Sequence, residues 1–158
     1  MTTILGPVTI APMTQAQAEA IARWRYEPPY DFYDLDADER DLAELLDPES
    51  RGDGYFAACG QAGEVIGFLQ LRNEGDAIVI GLGLRPDLTD RGLGGSFLEA
   101  GLGFARKAFA PLRFRVSVAE FNRRAITVYE RAGFVRTRAF LHETNGGRFR
   151  FVEMERSA

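Results

Sequence analysis

The sequence is poorest in the residues that most often carry metal and nucleophilic chemistry. Its 158 residues include one cysteine and one histidine. A lone Cys59 cannot close an intramolecular disulfide, and it ends an apolar run, Tyr55-Phe56-Ala57-Ala58-Cys59, that reads as core rather than nucleophile. With His142 as the single histidine, a Ser-His-Asp or Cys-His apparatus has one place to form. Zinc centres of the Cys/His kind are excluded, and no metal site is expected. No apolar run approaches the ~18 residues of a membrane span. The N-terminus lacks the basic and long apolar segments of a leader, so a cytoplasmic protein without membrane contact is expected. Hydrophobic residues make up 46% and charged residues 27%, the balance of a folded chain. No linker, repeat or low-complexity tract divides it, so one domain spanning 1–158 is expected.

The formal net charge of −4 conceals a split. Between Asp31 and Asp53 ten acids face only Arg40 and Arg51, a local charge of −8. Between Arg85 and Arg150 thirteen basic residues face six acids, a local charge of +7. A basic half suits a phosphorylated ligand and an acidic half suits an amine, although solvated surface would look the same. Nucleic acid is not an expected partner, because the arginines are dispersed and no nucleic-acid-binding motif is present.

Periodicity and punctuation order the elements. Residues 4–10 read as an opening strand closed by Pro12. Thr14 is placed to cap a helix running to about Arg25, with Ala18, Ile21, Ala22 and Trp24 at its apolar positions and Pro28-Pro29 beyond it. An aromatic, acidic loop over 30–36 leads into a short helix through Leu42, Leu45 and Leu46 that ends at Pro48. Three strands in hairpin order follow, 55–59, 65–71 and 77–84, joined by Gly60-Gln61-Ala62-Gly63 and Asn73-Glu74-Gly75-Asp76. Beyond Gly95 the apolar residues take helical spacing at Phe97, Leu98, Leu102, Ala105 and Phe109. A strand over 113–118 and a helix through Ala125, Ile126, Val128, Tyr129 and Ala132, stopped by Gly133, come next. A closing hairpin of 134–141 with 148–154 completes a mixed α/β domain.

Two segments carry candidate chemistry. From Leu82 to Ser96 a strand ends at Pro86, a glycine-rich turn follows, and a helix begins. Gly92, Gly94 and Gly95 let an anion approach the main chain where a Cβ would collide. First-turn N–H groups and the helix dipole then favour a pyrophosphate, though a purely structural turn would use glycine as readily. There is no Gly-Lys-Ser/Thr for a P-loop, and a dinucleotide fingerprint begun at Gly92 would need glycine where Phe97 stands. In the second segment Asn122 stands at a strand-to-helix junction, where its side chain can cap the helix. Tyr129 lies two turns further along the same face, where a core role competes with a chemical one.

Together, from Ile78 to Phe134, these segments resemble the GNAT superfamily of acyl-CoA-dependent N-acetyltransferases. The first signature, Gln/Arg-x-x-Gly-x-Gly/Ala beyond a strand-ending proline, is met by Pro86, Gly92 and Gly94, with Arg91 just before the first glycine. Thr89 departs from it, standing where Gln or Arg is usual. The second, Asn-x-x-Ala-x-x-x-Tyr-x-x-x-Gly-Phe, is matched by Asn122, Ala125, Tyr129, Gly133 and Phe134. The resemblance implies a mostly antiparallel mixed sheet of about six to seven strands flanked by about four helices. Its central strands, 77–84 and 113–118, would splay so that the pantetheine arm of acetyl-CoA inserts between them. It also implies main-chain contacts at Leu82, Gly83 and Leu84, and a pyrophosphate cradle at Asp90, Arg91, Gly92, Leu93, Gly94 and Gly95. Asn122 would bond the pantetheine, and Tyr129 would touch the cosubstrate and act as general acid toward the CoA thiolate. The acetyl-CoA-binding core is thus expected over about 77–134, with acceptor-side helices over about 14–48.

The general base is the gap in the pattern. Relatives that acetylate ribosomal-protein N-termini carry a glutamate five residues before the motif asparagine, where this chain has Ser117. Glu120 is the expected base, with Glu74, Asp76, an acid of the 31–41 loop and His142 as alternatives. Trp24, Tyr26, Tyr30, Phe32 and Tyr33 are expected to wall the acceptor amine beside the acidic loop; a packing cluster over the core is the other reading. The resemblance therefore implies an enzyme moving acetyl from acetyl-CoA to a primary amine of a small molecule or peptide by direct transfer. The alternative is a non-catalytic acyl-CoA-binding or regulatory module. A homodimer is compatible with either.

Overall fold

A single seven-stranded sheet organises the chain, which the computed structural model describes over residues 6–158. Strands β1 (Thr9–Pro12), β2 (Tyr55–Cys59), β3 (Val65–Glu74) and β4 (Ala77–Leu84) are successive antiparallel neighbours. β5 (Arg113–Ala119) lies parallel to β4. The hairpin of β6 (Val135–Thr144) and β7 (Gly147–Ser157) completes the order β1-β2-β3-β4-β5-β7-β6. Five α-helices are present among the described residues, one more than the sequence leads one to expect. They are α1 (Gln15–Ala22), α2 (Glu39–Leu46), α3 (Pro48–Arg51), α4 (Gly94–Phe109) and α5 (Arg123–Arg131).

Strand alternation divides the core between the two faces of the sheet. On β2, Phe56 and Ala58 join the larger cluster with Phe97, Leu98, Leu102 and Ile126 of α4 and α5. Tyr55 and Ala57, pointing the other way, join Ala18, Ile21 and Leu45 of α1 and α2. α1 and α2 and the α4–α5 layer thus lie on opposite faces.

Local chemistry accounts for the departures from expectation. The opening strand begins at Thr9, and Pro12 is its last residue rather than its stop. β1 is an edge strand, so a missing N–H there is tolerated. Residues 4 and 5 of the expected strand lie outside the described residues. The Thr14 helix has its capping box with Gln17 but ends at Ala22, short of Arg25. Pro48 starts a helix instead of ending one. Asp47 caps α3 and Pro48 takes its first position, where the absent N–H is not needed. The 30–36 loop contains two short 3₁₀ segments, Tyr30–Tyr33 and Leu35–Ala37. β3 extends to Glu74, leaving Gly75 (φ +75°) and Asp76 as a two-residue hairpin loop. No helix among the described residues is long and apolar enough to cross a membrane.

The feature that matters most for function is where β4 and β5 stop pairing. They match at Ala77↔Arg113, Ile78↔Phe114 and Val79↔Arg115, and beyond that point they diverge.

Candidate active site

Main-chain hydrogen bonds show what lines the opening between the strands. Arg85 donates its N–H to the Ile66 carbonyl at 2.8 Å, which fixes the alternation along β4. Gly83 therefore faces β3, while Leu82 and Leu84 turn their N–H and C=O groups away from it, into the gap. On the other side Glu120 donates its N–H to the Arg150 carbonyl at 2.9 Å, so Val116 and Val118 bond to β7. Ser117 and Ala119 then present their main-chain groups to the gap. An opening edged by such groups fits an extended ligand that supplies the missing partners. Of the three expected β4 contacts, Leu82 and Leu84 point into the opening and Gly83 does not. Gly83 serves differently, since a Cβ there would lie 2.5 Å from the Phe68 ring.

Two tyrosines from the segment between α1 and α2 reach the edges of this gap. Tyr26 donates its hydroxyl hydrogen to the Leu84 carbonyl at 2.7 Å. The Tyr33 hydroxyl accepts from the Ala119 N–H at 3.3 Å and from Asn122 Nδ2 at 3.2 Å. The other end of the Asn122 amide accepts from the Ala125 N–H at 3.1 Å, so one side chain caps α5 and faces the gap. Tyr129 is 8% exposed and packs edge-on against Phe134, ring centres 5.6 Å apart. Burial, reinforced by nearby Tyr33, pushes its pKa up, which keeps the phenol protonated. No group among the described residues shares a hydrogen bond with its hydroxyl.

Beside the opening stands the N-terminus of α4. Thr14, Asp38, Asp47 and Asn122 cap α1, α2, α3 and α5 with their side chains. α4, sixteen residues long, starts after Leu93 with no side-chain cap and no acid in its first turn. Its free N–H groups and dipole offer an anion site that the other helices have filled. Asp90 (φ +60°) and Gly92 (φ +73°) shape the turn leading to it. A Cβ on Gly94 would come within 3.3 Å of Val128, so glycine lets α4 start close against α5, while Gly95 faces open space. Arg91 is exposed there, and Arg124 lies 3.9 Å from the Asp90 carboxylate. Thr89, the departure from the signature, donates its hydroxyl to the Pro86 carbonyl at 2.7 Å and closes its own turn.

The aromatic group does not form one wall. Trp24 packs against Phe68 in the second core, ring centres 6.2 Å apart. Tyr30 lies under the Arg124 guanidinium at 3.9 Å. Phe32 sits among Tyr33, Phe121 and Phe149 at 5.2, 5.4 and 4.9 Å. Phe121 and Phe149 were not among the residues singled out from sequence; the alternation of Phe149 and Phe151 along β7 was the available signal. Of the carboxylates, Glu120 pairs with Arg150 at 3.1 Å. Glu74 and Asp76 pair with Arg115 and Arg113 at the closed end of β4–β5. In the loop, Asp34 accepts the Tyr26 N–H at 2.8 Å. Burial, then Asp38 and Glu44, raises the pKa of Asp41. His142 is exposed on β6 with its ring edge-on to Phe151 at 4.9 Å. Cys59 is half-buried and accepts from Gln17 Nε2 at 3.5 Å.

Comparison with known proteins adds to this geometry. A family model described as Acetyltransferase (GNAT) family matches residues 17–134. No curated protein matches the chain. Among solved structures, an acetyltransferase (GNAT family) from Bacillus anthracis is 15% identical with a TM-score of 0.74, covering 95% of this chain and 94% of its own. A spermidine N-acetyltransferase from Vibrio cholerae, in complex with CoA and spermine, is 17% identical with a TM-score of 0.76, covering 95% of each chain. At these identities the likeness to solved structures concerns the fold.

Proposed function

The chain belongs to the acetyltransferase (GNAT) family, and from that premise we propose that it moves an acetyl group from acetyl-CoA directly to a primary amine of a small molecule or peptide. The observation that carries this reading is the parting of β4 from β5 beside the one uncapped α-helix of the described fold. Leu82 offers its main-chain groups and Leu84 its N–H to the pantetheine arm, the Leu84 carbonyl being held by Tyr26, and Asn122 offers its amide. Asp90, Arg91, Gly92, Leu93, Gly94 and Gly95 surround the place for the pyrophosphate. Donor groups at the gap polarise the thioester carbonyl, so a neutral amine can attack it. Tyr129, kept protonated by its raised pKa, supplies a proton to the departing thiolate. Glu120 is the proposed acceptor of the amine's proton, reached through water because Arg150 occupies the carboxylate.

The acceptor side favours a cation. The segment from Asp31 to Asp53 carries ten acids, and Tyr26, just before it, and Tyr33, within it, reach the edges of the gap. The Vibrio cholerae neighbour, named for spermidine and bound to spermine, makes polyamines the first acceptors to try. The test is purified protein with acetyl-CoA and a panel of amines, followed by free-thiol release. Acceptor-dependent release is expected. Saturable CoA binding with no such release for any amine would sink the proposal in favour of a binding module.

A further inference from the structure

We propose that Tyr33 is a catalytic residue that donates a hydrogen bond to the acyl carbonyl oxygen held between β4 and β5. The inference rests on the acetyl-transfer proposal above and adds a group to its chemistry. A phenol oxygen accepts at most two hydrogen bonds and donates one. At Tyr33 both accepting places are taken, by the Ala119 N–H at 3.3 Å and Asn122 Nδ2 at 3.2 Å. Neither donor is free to wander. Ala119 is held in the β5–β7 register, and Asn122 is held by its cap on Ala125. The remaining O–H must therefore look for an acceptor, and none of the described residues provides one.

The direction is fixed by the strand. The Ala119 N–H points into the gap, so an oxygen that accepts from it lies in the gap as well. The ring is braced by Phe32 at 5.2 Å and Phe121 at 6.2 Å, which reduces the ordering cost of using it. Tyr26 makes a useful contrast: its proton is already committed to Leu84, so it has no donor to spare. Burial raises the Tyr33 pKa, and the two hydrogen bonds only partly oppose that, so the donor persists above neutral pH.

In the step itself the amine nitrogen bonds to the acyl carbon and the carbon–sulfur bond breaks. The amine's proton passes to the base, and the thiolate takes a proton from Tyr129. Negative charge crosses the carbonyl oxygen between these events. Tyr33 stabilises that charge by its hydrogen bond and gives up no proton.

Tyr33→Phe tests this. Expected are a fall in kcat of about 10²-fold, as for loss of one such donor, with CoA affinity and Tm close to wild type. The infrared readout is the carbonyl stretch of a bound ¹³C-labelled ketone analogue of acetyl-CoA, with methylene in place of sulfur. Its band should move to higher frequency in Tyr33→Phe and stay in place in Tyr26→Phe. If Tyr33→Phe does not fold, Tyr33→3-fluorotyrosine keeps the ring, strengthens the donor and should lower the frequency. An unmoved band overturns the proposal whatever happens to kcat, and so does an unchanged kcat. Failure of the acetyl-transfer proposal itself would show separately, as wild-type protein releasing no thiol with any amine.

Discussion

β4 and β5 are one pair of strands with two ends that do opposite things. At the closed end three residue pairs join them, and Phe114 is fully buried behind the junction. The surface over that end is tied by ions: Arg113 to Asp76 at 2.8 Å, and Arg115 to Glu74 at 3.0 Å and Glu155 at 3.2 Å. At the open end β4 carries Gly81 and Gly83, and the edges of the gap are main-chain groups met by two phenol hydroxyls. The contrast follows from solvation. Ion pairs that keep contact with water can hold a solvent-facing edge, whereas charges in a drying cleft would pay heavy desolvation. Neutral, directional donors suit a site that must empty of water when an acyl group enters.

Removing the proposed proton donor tests the open end most severely. Tyr129→Phe is expected to lower turnover ~10–10⁴-fold with CoA affinity little changed. Steady-state rates and a CoA titration measure the two separately, and unchanged turnover would reassign Tyr129 to packing. Phe114→Ala makes the matching cut at the closed end. It should cost about 3–5 kcal/mol of stability, read from urea unfolding, because it opens a cavity in a dry core. CoA affinity per folded molecule should hold. If Phe114→Ala loosens CoA binding while Tyr129→Phe destabilises the fold, the two ends are not separate devices.

How much of this the sequence disclosed follows the same division. The Asn122 cap on α5, the place of Tyr129 two turns along it and the glycine-rich start of α4 were legible because each is a local pattern. The hairpin neighbours β2-β3-β4 and β6-β7 were legible because hairpins announce themselves in their turns, whereas the pairing of β5 with β7 was not. Pro48 misled because proline marks a helix start as well as an end. The aromatic group was visible as composition only. That Trp24 belongs to a core, that Tyr26 serves Leu84 and that Tyr33 reaches Asn122, 89 residues away, depend on how the first loop lies across the sheet. The partial role of Gly83 depends on hydrogen-bond parity, which no composition reveals.

A smaller effect should separate stability from binding at the start of α4. Gly95 has open space where a Cβ would go, so Gly95→Asp can be accommodated. The added carboxylate would complement the helix dipole and raise stability by ~0.3–1 kcal/mol. The same charge would stand where the pyrophosphate is proposed to bind. CoA affinity is expected to fall about ten-fold or more, measured by titration at low and high salt. A fall in both stability and affinity would mean that the site is disrupted rather than repelled.

The smallest effect lies where the start of α2 meets the closing hairpin. Asp38 caps α2 through Oδ1, accepting from the Arg40 and Asp41 N–H groups at 2.9 and 3.2 Å. Its Oδ2 accepts from the Asn145 N–H at 2.9 Å and the Thr144 hydroxyl at 3.1 Å. These bonds, the Asn145 N–H foremost, hold its carboxyl below the usual carboxylate range. A lowered pKa contributes stability that is present above the unfolded value, ~3.9, and is lost as pH falls through the folded value. Asp38→Ala should therefore cost about 1 kcal/mol at neutral pH, as for loss of a cap. The difference from wild type, followed by thermal unfolding, should shrink below about pH 4. Asn145 also donates Nδ2 to the Phe32 carbonyl at 2.8 Å, one residue before Tyr33. Loosening Asn145 should therefore slow turnover by a few-fold while leaving the closed end of β4–β5 as stable as before. Equal losses at both ends would mean that the loop braces the whole sheet and not the open end in particular.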